Sequence, residues 1–346
     1  MQSRILDFIN GGSDSFERLT VEVFAFQFER NTVYRAYCEQ QKLTPATVRD
    51  WRQIPAVPTS GFREFTLTCF PVEEAVAEFH TSGTTQAKAG KHFFRTPELY
   101  DAAIRSSFAT HLLPDAARLP MMILTPSPEE APHSSLSHMM GEVSGDDAEF
   151  YVHGGELLAQ KLARDLLEAQ WAHQPVFLLG TAFAFVNFFD YCKKENLRFE
   201  LTESSRAMET GGFKGRSREM SKTELYEQFQ RWLGIPPLRV VNEYGMTELS
   251  SQFYDETLVV GHPSDLKASP PWTRVLVIDP STGREAAPNE RGLIRVYDLA
   301  NLWSAMCVQT EDVGILREDG KFEVFGRAAA AEVRGCSLTA EMLLTK

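Results

Sequence analysis

Apolar and polar positions alternate along this chain in two rhythms. MMILT (121–125) and VFLLG (176–180) are short unbroken apolar runs bounded by turn residues, the pattern of strands buried on both faces. In ELLAQKLARDLLEAQW, Leu158, Leu162 and Leu166 recur every four residues and predict one apolar helix face. AFAFVNFFDYCKK predicts a second helix, with Thr181 as its cap. The clearest local signal lies at 219–237. There Ser221 and Glu224 have capping-box spacing, Leu225, Phe229 and Leu233 form an apolar stripe, and Gly234 with Pro236-Pro237 stops the helix. LRVVNEYG then reads as a strand running into a glycine turn, and FYVHGG as a strand and turn. TRVLVIDPSTG and GLIRVYDL read as two strands joined by a polar connection. Residues 1–60 carry helical patterns broken by Pro45, Pro55 and Pro58, suited to a cap or packing layer.

Strand–helix alternation followed by a strand-rich end predicts an α/β sheet domain with a smaller β portion. Ligands of such sheets bind at the carboxyl ends of the strands. The most apolar stretch, PVFLLGTAFAFVNFF (175–189), is shorter than the roughly 20 residues of a spanning helix and contains Thr181 and Asn187. It reads as a buried strand leading into a helix, so no membrane insertion is expected. The 346 residues suffice for one large α/β domain with an appendage, or for two domains. A net charge of −12 argues against nucleic acid as a partner. Five cysteines, odd in number, far apart and without a C-x-x-C pair, favour free thiols in a reducing compartment. MQSRILDFINGGSDSF shows no signal-peptide pattern, and a soluble cytoplasmic protein is expected.

Four stretches bear on chemistry. FHTSGTTQAKAGKHFF (79–94) crowds hydroxyls, glycines and basic residues together, a composition suited to a polyanion such as a triphosphate. It is not the G-x-x-x-x-G-K-[ST] loop, because Thr85 holds the first glycine's place and His92 follows Lys91. METGGFKG lets the backbone approach a flat ligand at Gly211-Gly212. NEYGMTEL sets an aromatic, a hydroxyl and a carboxylate within five residues, and QTEDVGILREDGKFEVFGR places Asp312 fifteen residues before Arg327. A nucleotide needs these things: phosphate donors, a carboxylate for Mg²⁺, an aromatic face and a ribose acceptor. Taken singly, each stretch has a plainer reading. The first is an ordinary loop, Thr247 caps a following helix, and Asp312 and Arg327 are surface residues on strands. His133 and His138, in PHSSLSHMM, read as structural loop residues more readily than as bases.

Together, in order and spacing, the stretches resemble the signatures of the adenylate-forming superfamily of acyl- and aryl-CoA ligases: T-S-G-T-T-G, Y-G-x-T-E, and a downstream aspartate followed by G-R. TSGTTQ, EYGMTELSSQFY and the ending GRAAAAEVRGCSLTAEMLL most resemble the acyl-protein synthetases of the LuxE type, which supply fatty acids to a bacterial fatty-acid reductase. The resemblance runs from about Phe79 to the C-terminus. It implies a large adenylate-forming domain over 1–326, mainly helical in 1–75, then a short segment 327–346, with the C-terminal lid domain largely absent. It implies ATP and Mg²⁺ as cofactors and a fatty or other carboxylic acid as substrate, with an acyl reductase or carrier protein as partner. By position, Thr81, Ser82, Gly83, Thr84 and Thr85 hold the β- and γ-phosphates, with Lys88 or Lys91 as the loop lysine. Tyr244 packs on adenine, with Gly211 and Gly212 along its edge. Thr247 contacts the α-phosphate and the acyl carboxylate, and Glu248 binds Mg²⁺. Asp312 accepts from the ribose hydroxyls, and Arg327 donates to ribose or phosphate.

This chain departs from the superfamily pattern in three ways. Gln86 replaces the loop glycine, Lys88 sits one place early, and only residues 328–346 follow Arg327, where CoA ligases continue with a domain carrying a catalytic lysine. The resemblance also implies an acyl group carried on a cysteine near the C-terminus, here Cys336 beside Arg334-Gly335. The plainer reading makes Cys336 a small core residue. FAFVNFF lines an acyl pocket or simply packs a core. Two rival functions stand beside the synthetase: a CoA ligase that takes its lid domain from another chain, and a non-catalytic nucleotide- or acyl-binding subunit of a reductase complex.

Overall fold

The apolar runs at 121–124 and 177–181 lie side by side in a six-stranded sheet. Across that sheet the strands are Phe253–Tyr254, Val240–Tyr244, Arg206–Thr210, Phe177–Thr181, Met121–Leu124 and Glu149–Phe150, all parallel to their neighbours except the first. The computed structural model describes residues 1–81, 89–115, 119–211 and 220–328. Two compact units divide the chain: Met1–Ser106 with Met246–Gln252 and Lys267–Lys346, and Ser107–Gly245 with Phe253–Leu266.

The second unit holds the parallel sheet. Its helices are those the periodicity predicts. Thr181 caps Ala182–Lys194 by accepting from the Ala184 N–H at 3.1 Å. Ser221 and Glu224 form the capping box of Lys222–Leu233, which ends at Gly234 in the left-handed region (φ 71°). Phe185, Phe188 and Phe189 of the first helix meet Leu225, Phe229 and Leu233 of the second in one core, with the Phe185 and Phe229 rings 4.6 Å apart. Of FAFVNFF, Ala184, Phe185, Val186, Phe188 and Phe189 pack this core, while Phe183 is half-buried and Asn187 exposed. Leu162 and Leu166 of helix Ala159–Trp171 join that core, whereas Leu158 precedes the helix and is 38% exposed. FYVHGG divides: Glu149–Phe150 joins the sheet, and Val152–His153 turns at Gly154-Gly155 to pair with Glu156–Leu157. His138 lies on helix Ser135–Val143, capped by Ser134, and not in a loop.

In the first unit, Thr273–Ile278 and Gly292–Asp298, the two strands expected from the sequence, pair antiparallel, and Cys307–Leu316 pairs antiparallel with the second. Phe322–Arg327 pairs antiparallel and Val57–Pro58 parallel with Cys307–Leu316. The N-terminal helices Gln2–Ile9, Phe16–Arg30 and Thr32–Gln40 form the expected packing layer. Buried Gln27 fastens it. Its amide donates to the carbonyls of Asn301 and Leu302 (2.8 and 3.0 Å), and its oxygen accepts from the Met306 N–H (3.1 Å). A buried amide satisfied on both ends fixes register where an apolar contact would slide.

Candidate active site

Hairpin Ala77–His80/Lys91–Phe94 carries the hydroxyl-rich loop between its strands. Of the residues assigned to phosphate, Ser82, Gly83, Thr84, Thr85 and Lys88 lie outside the described residues, as do Gly212 and Cys336. Thr81 is at the loop's base. Its N–H donates to the Gly90 carbonyl (2.9 Å), and its hydroxyl accepts from the Gly90 N–H (2.8 Å). Lys91 reaches Glu78, which also receives the His80 ring, at 3.3 and 2.9 Å. The His80 bond first, then Lys91, holds Glu78 below the usual carboxylate range.

Thr247 joins the second motif to this hairpin. Its hydroxyl donates to the His80 carbonyl at 3.4 Å, one residue before Thr81, and its own carbonyl accepts from Nδ1 of His92 at 2.8 Å. His92 is buried, and burial pushes its pKa down to about 4, so it stays neutral and keeps the Nδ1 proton for this bond. The chain beyond Thr247 turns, with the Leu249 N–H on the Met246 carbonyl (3.0 Å), into strand Phe253–Tyr254. Thr247 therefore caps no helix.

A buried network fixes the next residues. Asn301 Nδ2 donates to the Glu248 carbonyl (2.9 Å), and Asn301 Oδ1 accepts from the Ser250 hydroxyl (2.8 Å). Asp298 accepts from the Ser250 N–H (2.9 Å), the Ser251 hydroxyl (2.8 Å) and the Ala300 N–H (3.0 Å). Trp272 Nε1 donates to the Ser251 hydroxyl at 2.9 Å. Burial raises the Asp298 pKa to about 6 against these bonds. The Glu248 side chain itself is half-buried.

Asp312 and Arg327 face each other across the antiparallel pair Cys307–Leu316/Phe322–Arg327. Asp312 is half-buried, while Arg327 is exposed and 3.9 Å from Glu311. The fifteen-residue spacing is thus the length of a β-hairpin that returns to its own start.

Gly211 and Tyr244, in the other unit, end adjacent parallel strands in which Thr210 is opposite Glu243. Gly211 has φ 73°, a conformation other residues rarely take. Tyr244 lies 6.2 Å from Phe253, ring to ring. Glu243 is buried, accepts from the Thr210 hydroxyl, and has Oε1 2.2 Å from where a Cβ on Gly245 would be. A side chain at the glycine of Y-G would have to displace that carboxylate. On the opposite face of these strands, Glu209 accepts from Asn242 Nδ2 (2.8 Å) and Tyr226 (3.4 Å). Asp255 accepts from the Asn242 N–H (2.9 Å) and pairs with Lys222 (3.3 Å).

The decisive comparison spans more than half the chain. Residues 147–345 match the family model described as Acyl-protein synthetase, LuxE. The chain belongs to the LuxE acyl-protein synthetase family. Two long-chain-fatty-acid–luciferin-component ligases are similar to it. That of Aliivibrio fischeri is 21% identical over 344 residues, covering 95% of this chain and 89% of its own. That of Vibrio harveyi is 20% identical over 341 residues, covering 95% and 88%. Among solved structures, 2-hydroxyisobutyryl-CoA ligase in complex with 2-HIB-AMP and CoA has a TM-score of 0.67 at 14% identity, with 90% of this chain and 69% of that one covered. ATP-bound MatB from Rhodopseudomonas palustris has a TM-score of 0.54 at 16% identity. That match covers 76% of this chain, which spans 50% of the MatB chain. The fold is that of the adenylate-forming ligases, and this LuxE-family protein is a ligase.

In this LuxE-family chain Cys38, Cys69, Cys192 and Cys307 are free and buried, and burial pushes each thiol up to about 12. None of these four is set up as a nucleophile at neutral pH. Among the described residues, no helix is long and apolar enough to cross a membrane. Sequence reasoning missed His92, Asp298, Asn301 and Glu243. His92 is 155 residues from Thr247 and Asp298 is 48 from Ser250, so no local pattern announces either pairing. The paired serines in TELSS were the one local hint.

Proposed function

We infer that this LuxE-family ligase activates a fatty acid with ATP as acyl-AMP and then carries the acyl group on Cys336 to an acyl reductase or carrier protein. The observation that carries the reading is Thr247: its hydroxyl bonds the strand end from which the TSGTT loop departs. Hydroxyl donors from two stretches 166 residues apart, Thr81 and Thr247, thus belong to one local structure. The substrate's carboxylate oxygen attacks the α-phosphorus, the bond to the bridging oxygen breaks, and pyrophosphate leaves with that electron pair. The Cys336 thiolate then attacks the acyl carbon, a thioester forms, and AMP leaves.

The donor set suits ATP. Thr81 is the described part of the phosphate loop, and the Thr247 hydroxyl makes a 3.4 Å contact, longer than a strong O–H···O bond, with the His80 carbonyl. Tyr244 and Gly211 end neighbouring strands at the carboxyl edge of a parallel sheet, the usual place for a nucleotide base. Asp312 and Arg327 offer a ribose acceptor and a donor on one strand pair. Glu248, half-buried with its backbone fixed by Asn301, suits a Mg²⁺ ligand; bound there, the ion would neutralise phosphate charge in the transition state. The four buried, high-pKa thiols favour Cys336 as the acceptor, and unpaired thiols suit the cytoplasm.

The test is carboxylate- and Mg²⁺-dependent exchange of labelled pyrophosphate into ATP, followed by intact mass and peptide mapping after incubation with a fatty acid. Exchange together with a hydroxylamine-labile adduct on Cys336 is expected. Cys336→Ser should keep exchange and lose the adduct. Acylation of free CoA without an adduct would move the assignment to a CoA ligase. No exchange across fatty and aromatic acids would leave a binding subunit.

A further inference from the structure

The N-terminal layer does more than pack. A cavity of about 380 Å³ opens between helix Phe16–Arg30, the turn at Trp51 and strand Thr273–Ile278. Val21, Val275, Leu276 and Leu316 supply apolar wall, and Arg49, Arg52, Arg274, Glu17 and Asp50 line the rest.

Packing holds two of these guanidinia together. Trp51 is wedged edge-on between Phe16 (5.6 Å) and Tyr297 (4.8 Å) and is buried. The Arg52 guanidinium lies over the Trp51 ring, and that of Arg274 over the Phe16 ring, each 4.3 Å from its centroid. Aromatic faces orient a guanidinium without neutralising it. The nearby acids are loosely placed: Arg52 is 3.9 Å from Asp50 and 3.4 Å from Glu285, and Arg274 is 3.8 Å from Glu17. These separations exceed those of a charge-assisted hydrogen bond. Burial first holds Arg274 below the usual guanidinium pKa; Glu17 opposes this, and the like charge of Arg52 adds to it.

We propose that this cavity is a binding site for a small organic anion, a phosphate or carboxylate head held between Arg52 and Arg274 with a short apolar body against Val21, Val275, Leu276 and Leu316. Arg274 Nη1 donates to the carbonyls of Pro271 and Thr273 (3.0 and 2.7 Å), so an oxyanion would be met by its Nε and Nη2 together with the Arg52 guanidinium, the planar donors that oxyanions accept. The volume falls in the range of small-molecule pockets, about 300–1,000 Å³. Leu316 and Gly320 of its lining fall within the stretch 309–327, but none of the residues assigned to ATP, Mg²⁺ or the acyl group lines the cavity.

Titration calorimetry on the full chain with hexyl phosphate, hexanoate and inorganic phosphate tests it. Hexyl phosphate or hexanoate should bind saturably with a dissociation constant below about 1 mM, and more tightly than inorganic phosphate. Which of the two binds more tightly identifies the head group. The pair Arg52→Gln/Arg274→Gln should weaken that binding about tenfold or more, the effect of losing a charge-assisted contact. The pair Arg52→Lys/Arg274→Lys keeps charge and bulk but loses the fork, and should weaken it less. It also decides the matter if the glutamine pair does not fold, because lysines that bind as tightly as arginines would remove the fork from the argument. Absence of saturable binding by all three probes overturns the site. So does binding that the glutamine pair leaves unchanged, which would put the anion elsewhere, such as the acyl site.

Discussion

The Thr247–Glu248 turn and the Asp312–Arg327 pair belong to the same unit and are built in opposite ways. The turn is held by His92, Asn301 and Asp298, through buried hydrogen bonds to distant parts of the chain. The pair is set by β-register: two strands joined by a short connection bring the residues opposite each other, half-buried and exposed. A turn has no ladder of its own, so its geometry must be imposed from outside. A strand pair carries its geometry in its backbone, so its side chains are not needed to hold it. Changes around the turn should therefore cost stability as well as activity, and changes at the pair should cost activity alone.

The largest effect is expected at the turn's own side chains. Glu248→Gln and Thr247→Val should each lower pyrophosphate exchange about 10²–10³-fold, the usual loss of a transition-state contact, about 2.7–4 kcal/mol. Glu248→Gln should move the melting temperature little, because it keeps the backbone carbonyl that Asn301 holds. A Glu248→Gln enzyme with near-normal exchange would place the metal elsewhere.

Next comes pH. His92 binds its proton less readily folded (about 4) than unfolded (6.5), so its contribution is full above pH 6.5 and is lost as pH falls towards 4. The loss reaches about 3 kcal/mol. Asp298 works in reverse. Its raised pKa of about 6 gives a contribution full below pH 3.8 and lost as pH rises through 6. Comparing urea unfolding of His92→Gln with the parent from pH 4 to 7 isolates the first contribution. The variant should gain on the parent as pH falls, and parallel curves would mean that His92 titrates normally.

Asp298→Ala sharpens the contrast at neutral pH. It orphans the Ser250 and Ala300 N–H groups and should cost about 2–3 kcal/mol in urea unfolding, with a loss of exchange alongside. Full exchange in a destabilised Asp298→Ala enzyme would show that the turn keeps its shape without its network.

The smallest effects belong to the strand pair. Arg327→Lys or Asp312→Asn should raise the KM for ATP about tenfold, the value of one lost charged hydrogen bond, and move stability by less than about 0.5 kcal/mol. A large stability loss at Arg327, exposed as it is, would break the distinction drawn between the two regions.

Local patterns determined much of this protein. The capping box at Ser221, the cap at Thr181, the stripe through Leu225, Phe229 and Leu233, and the buried runs at 121–124 and 177–181 were legible because each is set by neighbours within a turn or a strand. The motifs were legible too, since TSGTT, YGMTE and the aspartate before G-R are contiguous or nearly so. Tertiary structure alone decided what holds them. That Thr247 bonds His80 and His92, that Asn301 holds the Glu248 carbonyl, and that Arg52 and Arg274 converge on one cavity depend on partners brought together by folding. Even Leu158 was misplaced by its spacing, because a periodicity names a face but not the residue at which the helix starts. Hydrogen bonds and charges act over a few ångströms of space, whatever the distance along the chain, and a sequence read in order records only the second.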